Sequence, residues 1–193
     1  MNPVTSLEVN GRTYRIPQTP VVGICIDGCE PAYLDEAAHV MPELQRLIAE
    51  GVRGVAHSVL PSFTNPNNVA IVTGAPAEIN GIPGNFYYDP DADEEVLMQD
   101  PRWLRCPTLL AAFARAGIDV AAVTTKDKLR AFLSEGLPSS SLRFSVEKAH
   151  EATLQENGIE GVNDLVGRDN PGIYDPEASV FCLEAGARLM ERS

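Results

Sequence analysis

Apolar residues in this chain come as short unbroken runs separated by stretches with helical spacing. Val21, Val22, Gly23, Ile24, Cys25 and Ile26 follow one another without a charged residue. That pattern predicts a strand of a parallel sheet covered on both faces, not the alternation of a half-exposed strand. Residues 53–60, with Val52, Val55 and Val59, predict a second strand, 118–123 a third and 142–146 a fourth. Between them lie helical segments. Residues 31–39 form one; 42–50 form another, with Leu44, Leu47 and Ile48 on one face and Gly51 as its stop. Residues 67–73 follow Pro66 and end at Gly74, residues 108–116 close at Gly117, and 129–134 give a short helix. The last segment, 176–192, is amphipathic, with Phe181, Leu183, Ala187, Leu189 and Met190 available for burial. Ahead of all this, Asn10-Gly11 sits between two apolar-containing runs in 7–16, which predicts a hairpin.

Helix follows strand through most of the chain, so the expected fold is α/β, a largely parallel sheet with helices on both faces. Residues 75–105 break the rhythm. They are rich in Gly, Pro, Asp and Asn, and a stretch of that length predicts a loop or cap insertion serving a site. In an alternating chain a strong helix is normally followed by another strand, yet the sequence stops at Ser193. The pattern reads as a fold cut short there, one partial domain over residues 1–193, whose exposed sheet edges would favour self-association into a homo-oligomer.

A chain of 193 residues with 44% hydrophobic content is long and apolar enough for a substantial core. Its 15 basic against 27 acidic side chains leave a formal charge of −12, which argues against nucleic acid or an anionic membrane as partner. An anionic small molecule would need local cations. Residues 1–16 lack a basic segment followed by a long apolar one, and no later stretch approaches the ~20 apolar residues of a membrane span. The expected location is the cytoplasm. Cys25, Cys29, Cys106 and Cys182 show no CxxC spacing and too little density for a disulfide framework, so reduced thiols are expected, with Cys25 facing the core.

Three predicted strand ends carry candidate chemistry, and in open α/β sheets ligands gather beyond the carboxyl ends of strands. Asp27 ends the first run, Thr64 falls at the junction between the second strand and its helix, and Lys126 and Lys128 follow the third. Asp27 is a hard oxygen donor suited to a dication, though Asp-Gly also makes ordinary turns. Thr64 offers a hydroxyl that a metal or a helix N-terminus would activate, and equally a helix cap. Around it Ser62, Asn65, Asn67 and Asn68 crowd a helix start whose free N–H groups favour phosphate-like anions. Asn85 could donate its amide to an oxyanion or simply shape a turn. Lys126 and Lys128 could clamp a carboxylate or phosphonate, or be a solvated loop.

The histidines supply no convincing metal cluster. Asp35 and His39 are four residues apart on a helix, a spacing for two ligands or for a surface ion pair. His57 and His150 read as non-ligands. A dinuclear centre, with metals roughly 3.5–4 Å apart, takes about six protein donors, and the residues read here offer two, Asp27 and Thr64.

Four segments together carry a resemblance: Val21-Val22-Gly23-Ile24-Cys25-Ile26-Asp27-Gly28-Cys29-Glu30, Leu60-Pro61-Ser62-Phe63-Thr64-Asn65-Pro66-Asn67-Asn68, Gly81-Ile82-Pro83-Gly84-Asn85-Phe86-Tyr87-Tyr88-Asp89, and Thr124-Thr125-Lys126-Asp127-Lys128. The chain resembles the phosphonoacetate hydrolase family of the alkaline phosphatase superfamily from about Leu7 to its end. The first two motifs are shared with phosphodiesterase relatives; the paired lysines point to a carboxylate-bearing phosphonate. The resemblance implies an alkaline-phosphatase-like core, two zinc ions in the complete enzyme, Asp27 as ligand of one zinc and Thr64 as metal-bound nucleophile. It further implies Asn85 as phosphonyl-oxygen donor and Lys126 with Lys128 as the grip on the substrate carboxylate. The activity implied is cleavage of the carbon–phosphorus bond of phosphonoacetate to acetate and phosphate, a step of phosphonate catabolism. The family's other ligands, two aspartates and three histidines, belong to later motifs including an Asp-His pair, and no Asp-His pair occurs here. The expectation is therefore an inactive half-site. The competing expectations are a phosphodiesterase or phosphomonoesterase of the same superfamily, which has no need of Lys126 and Lys128, and a noncatalytic α/β domain binding an anion or a partner at the helix after Thr64.

Overall fold

The computed structural model describes residues 5–192 and divides into two units, Met1–Ile16 with Val59–Ser193, and Pro17–Ser58. The larger unit begins with strands β1 (Ser6–Val9) and β2 (Arg12–Arg15), paired antiparallel with Val9 opposite Arg12. That register leaves Asn10 and Gly11 as a two-residue turn, both at positive φ, 51° and 77°. Only a primed turn matches the strand twist, and Asn-Gly adopts it at low cost, so the expected hairpin is present.

Segment Pro17–Ser58 holds helices α1 (Pro31–Glu36) and α2 (Pro42–Glu50), each opened by a proline at its first position. Both helices follow the apolar spacing of the sequence. The expected strand at 21–26 does not form: the run has no ladder, and Val21, Val22, Ile24 and Ile26 are exposed. Cys25 is exposed with them and does not face a core. The expected strand at 53–60 is likewise absent. A strand exists only through the hydrogen bonds of a neighbour, and among the described residues neither run has one. No residue of 17–58 is buried. Ordering a backbone residue costs about 1–2 kcal/mol, and here only partial burial, as of Leu34, Leu44 and Ile48, offsets it; exposed pairs such as Arg46 with Glu43 and Glu50 stabilise little.

The larger unit resumes with α3 (Thr64–Thr73), which ends at Gly74 in the left-handed conformation. A side chain at Gly74 would strike the Tyr14 hydroxyl of β2, so glycine serves both the turn and the close approach. Segment 75–105 is folded. It contains α4 (Ala77–Asn80) and an antiparallel hairpin of β3 (Phe86–Asp89) and β4 (Glu94–Leu97), followed by a helical turn at Pro101–Trp103. Helix α5 (Leu109–Arg115) is capped by Thr108, whose hydroxyl accepts from the Ala111 N–H at 3.0 Å.

Strand β5 (Ala121–Thr124), helix α6 (Asp127–Leu133) and strand β6 (Leu142–Ser145) form a β–α–β unit, the strands pairing in parallel from Ala121–Leu142 to Thr124–Ser145. Phe144 and Ser145, successive residues on opposite faces of β6, are both buried, as its apolar reading required. Short helices α7 (Leu154–Asn157) and α8 (Val162–Val166) lead to α9 (Glu177–Met190). One core joins Phe144, Val146, Val162, Leu165, Phe181 and Ala185. Of the α9 residues expected inside, Phe181 is fully buried and Leu189 partly so, whereas Leu183, Ala187 and Met190 are exposed. The buried face is instead Ala178, Phe181 and Ala185, three residues or four apart as helix geometry demands. The architecture is α/β, with its parallel pairing among the described residues confined to β5 and β6.

Candidate active site

A second, smaller core places the candidate residues. Val69 of α3, Ile82, Met98 and Phe132 of α6 pack together, flanked by Tyr87, Trp103 and Leu104. Tyr87 and Trp103 meet edge to face at 5.0 Å, and the Arg102 guanidinium stacks over the indole at 4.7 Å. Three elements thus converge: the helix begun by Thr64, the segment carrying Asn85, and the helix preceded by Lys126.

Thr64 is the first residue of α3, and Phe63 holds the cap position without a side-chain cap bond. Threonine is therefore not the helix cap that local sequence allowed. The crowd of small polar residues around it is committed to structure. Asn65 is buried and donates Nδ2 to the Met98 carbonyl at 2.5 Å; Asn67 accepts from the Val59 N–H at 2.9 Å and donates to the Phe63 carbonyl at 2.8 Å; Asn68 donates to the Thr64 carbonyl at 3.0 Å. Among them the backbone N–H of Asn65 donates to Oδ1 of Asn85 at 3.2 Å. Asn85, 20 residues further along, thereby docks on the first turn of the helix that Thr64 begins. With Oδ1 so engaged, the amide's Nδ2 is the atom that carries donors. The Asn85 carbonyl also accepts from Met98 N–H at 2.7 Å, which closes the loop around the small core.

Lys126 precedes α6 at its cap position and is exposed; Lys128 lies in the first turn and is half-buried. Their setting is fixed by neighbours that sequence reading missed. The Thr124 hydroxyl donates to the Lys126 carbonyl at 2.9 Å, and the Asp127 N–H donates to a carboxylate oxygen of Glu147 at 2.8 Å. Asp127 accepts from Arg130 Nε at 2.6 Å and from the Ser145 hydroxyl at 3.0 Å. The Arg130 hydrogen bond holds the Asp127 carboxyl below its ordinary value, against the opposing effect of burial. Glu147 lies 20 residues from the N–H it accepts, so no local signal marks it.

Helices α3 and α6 pack side by side. Their C-terminal ends are tied to one junction: Asn10 Nδ2 donates to the Thr73 carbonyl at 2.7 Å and to the Pro107 carbonyl at 2.9 Å, while the Thr108 hydroxyl donates to the Glu135 carbonyl just past α6 at 3.2 Å. Thr64 and Asn85 thus lie at the start of α3 and the two lysines at the start of α6, on helices that pack against each other.

Asp27 belongs to the other unit. It is exposed in a turn in which the Cys29 N–H donates to the Ile26 carbonyl at 3.4 Å across Gly28 at φ +74°. In the same unit Asp35 pairs with Arg53 at 2.7 Å, while Nδ1 of His39 lies 3.1 Å from the Glu36 carbonyl. Among the described residues no three His, Cys, Asp or Glu side chains come together to hold a metal ion. A catalytic zinc takes three protein donors, so these residues do not by themselves fit that centre. All four cysteines are free thiols, and no helix among the described residues is long and apolar enough to cross a membrane.

Residues 21–164 match the family described as type I phosphodiesterase / nucleotide pyrophosphatase. Two solved structures of phosphonoacetate hydrolase from Sinorhizobium meliloti 1021, one in complex with phosphonoformate and one with phosphonoacetate, are each 47% identical to this chain and cover 99% of it, with TM-scores of 0.93 and 0.94. The chain spans 47% of their length. With three quarters of its residues inside one family pattern and a backbone shared with these hydrolases, this chain belongs to the type I phosphodiesterase / nucleotide pyrophosphatase family.

Proposed function

We propose that these 193 residues carry the nucleophile and substrate-binding part of a phosphonoacetate hydrolase. The observation that supports this most is the docking of Asn85 on the helix turn begun by Thr64. It joins a hydroxyl and an amide donor that have no structural need of each other in sequence. Two lysines at the start of α6, a helix that packs against α3, suit a substrate that carries both a phosphonate and a carboxylate. The cytoplasm is the proposed location.

In this reading the Thr64 oxygen attacks phosphorus in line with the carbon leaving group, forming the O–P bond as the C–P bond breaks. The C–P electron pair moves to carbon and delocalises into the adjacent carboxylate, where Lys126 and Lys128 stabilise it. The Thr64 hydroxyl loses its proton to solvent as the O–P bond forms, the carbanion takes up one proton from solvent to complete acetate, and a water then hydrolyses the phosphothreonine, releasing phosphate and restoring the Thr64 hydroxyl. Asn85 holds a phosphonyl oxygen throughout. Two zinc ions are part of the family resemblance, with Asp27 and Thr64 among their donors. The other donors would come from chain that these residues do not span, and the chain by itself would be inactive.

The test joins these residues to the remainder of a full-length protein. Thr64→Ala should lower phosphate release from phosphonoacetate by about 10³-fold or more, the usual scale for a lost nucleophile. Lys128→Ala should lower it while hydrolysis of an aryl phosphate ester persists. Equal loss of both activities in the lysine variant would favour the phosphodiesterase or phosphomonoesterase reading. Brisk phosphate release by the 193-residue chain with zinc would refute the half-site.

A further inference from the structure

Lys126 stands where a helix does not ordinarily put a lysine. It holds the cap position of α6, at φ −107° and ψ 137°, and makes no side-chain cap bond. An ammonium group has only donors, so it cannot accept from the free N–H groups that a helix start leaves open. Serine, threonine, aspartate or asparagine would do that work. The acceptor comes instead from the exit of β6: a carboxylate oxygen of Glu147 accepts from the Asp127 N–H at 2.8 Å. The Glu147 backbone N–H in turn donates to the Thr125 carbonyl at 3.1 Å.

These two bonds fall on the two peptide groups that flank Lys126. The Thr125 carbonyl belongs to the peptide before its Cα, the Asp127 N–H to the peptide after it. Because each peptide is planar, fixing both sets φ and ψ of the residue between them, and with them the direction in which the lysine side chain leaves the backbone. The Thr124 hydroxyl adds a second hold on the latter peptide, donating to the Lys126 carbonyl at 2.9 Å. The carboxylate of Asp127, which lies between the two lysines in sequence, is engaged by Arg130 and Ser145.

We infer that Glu147 is a positioning residue for substrate specificity: by clamping both peptide groups around Lys126 it aims that ammonium at the substrate carboxylate. The inference rests on the proposed grip of Lys126 and Lys128 on a phosphonate that bears a carboxylate. A capping side chain at residue 126 would hold the helix start as well; the remote clamp has its use where a cation must occupy that position. An ammonium ordered before substrate arrives spares the reaction the cost of ordering it.

The test compares two substrates. With these residues in a full-length protein, Glu147→Ala should lower kcat/KM for phosphonoacetate by about tenfold or more, while hydrolysis of an aryl phosphate ester, which has no carboxylate to grip, stays within about twofold. Glu147→Gln keeps an oxygen acceptor and should stay within about threefold of the parent on phosphonoacetate. In the 193-residue chain Glu147→Ala should speed exchange of the Asp127 amide by about tenfold or more and leave the Val146 amide, bonded to the Thr124 carbonyl at 2.8 Å, as it was. Should the alanine variant fail to fold, Glu147→Asp, too short to reach the Asp127 N–H, reads the same selectivity. Lys126→Ala runs alongside and should show the same selective loss. If it does while Glu147→Ala leaves phosphonoacetate turnover intact, lowers both activities alike, or is matched by Glu147→Gln, the clamp is overturned and the lysine grip stands. If Lys126→Ala spares phosphonoacetate, the grip itself fails and this inference with it.

Discussion

The β5–α6–β6 region with α9 and the segment Pro17–Ser58 are built from equally apolar sequence, yet one has a core and the other has none. Phe144, Val146, Val162 and Phe181 are fully buried, whereas Val52 and Val55 are almost wholly in water. The difference is not propensity. Residues 142–145 and 21–26 both read as buried strands, and only the first finds a neighbour, β5. Burial of apolar runs is thus a property of the partner as much as of the run, and the energetic weight of the isolated chain should rest on one region.

The comparison is sharpest where burial is deepest. Phe181→Ala removes a fully buried ring from the α9 face and should cost about 3–5 kcal/mol, read as a fall in the urea midpoint of the 193-residue chain. A loss below about 1 kcal/mol would mean that this core does not carry the fold. Next comes Asn65→Ala, which strands the buried Met98 carbonyl and should cost about 1–3 kcal/mol. The Asn85 loop should loosen with it, visible as faster exchange of the Met98 amide, whose bond to the Asn85 carbonyl depends on that loop.

How much was legible beforehand follows the same division. The Asn10-Gly11 hairpin, the helices at 31–36 and 42–50, and the parallel strands at 121–124 and 142–145 could be read from local chemistry, because turn geometry, prolines at helix starts and apolar runs act within a few residues. The strands at 21–26 and 53–60 were misread because pairing is non-local. On α9, apolar character alone suggested Leu183 and Met190, but the packed face was chosen by what α8 and β5 present to it. At the candidate site, Thr64, Asn85 and the lysines stood out by type and motif. The supports Glu147 and Ser145 did not, since they act across 20 and 18 residues of sequence, and the role of Asn65, a bond to a carbonyl 33 residues away, was not legible either. The cluster of asparagines looked like an anion site and proved to be mostly scaffolding.

Asp127 tests whether that scaffolding has weight. Its carboxyl is held below the ordinary value of 3.8, first by the hydrogen bond from Arg130. A carboxyl lowered on folding contributes stability that is complete above its unfolded value and disappears as pH falls through the lower folded one. Asp127→Asn should therefore cost about 1 kcal/mol at pH 7, with the gap to the parent chain closing below about pH 4. Paired urea titrations at pH 7 and pH 3 would read it. A gap that does not narrow at all between pH 7 and pH 3 would show that the asparagine fails through shape and not through charge.

The smallest effect belongs to the uncovered run. Ile24 is 64% exposed and packs in no ladder, so Ile24→Ala removes little that water does not already touch. In the isolated chain the change should stay within about 0.5 kcal/mol, against several for Phe181→Ala. A substitution of the same chemical kind thus separates a run that has found its neighbour from one that has not. If Ile24→Ala instead lowered the urea midpoint as Phe181→Ala does, the run would already be buried in solution, and the contrast between the two regions would fail at its weakest point.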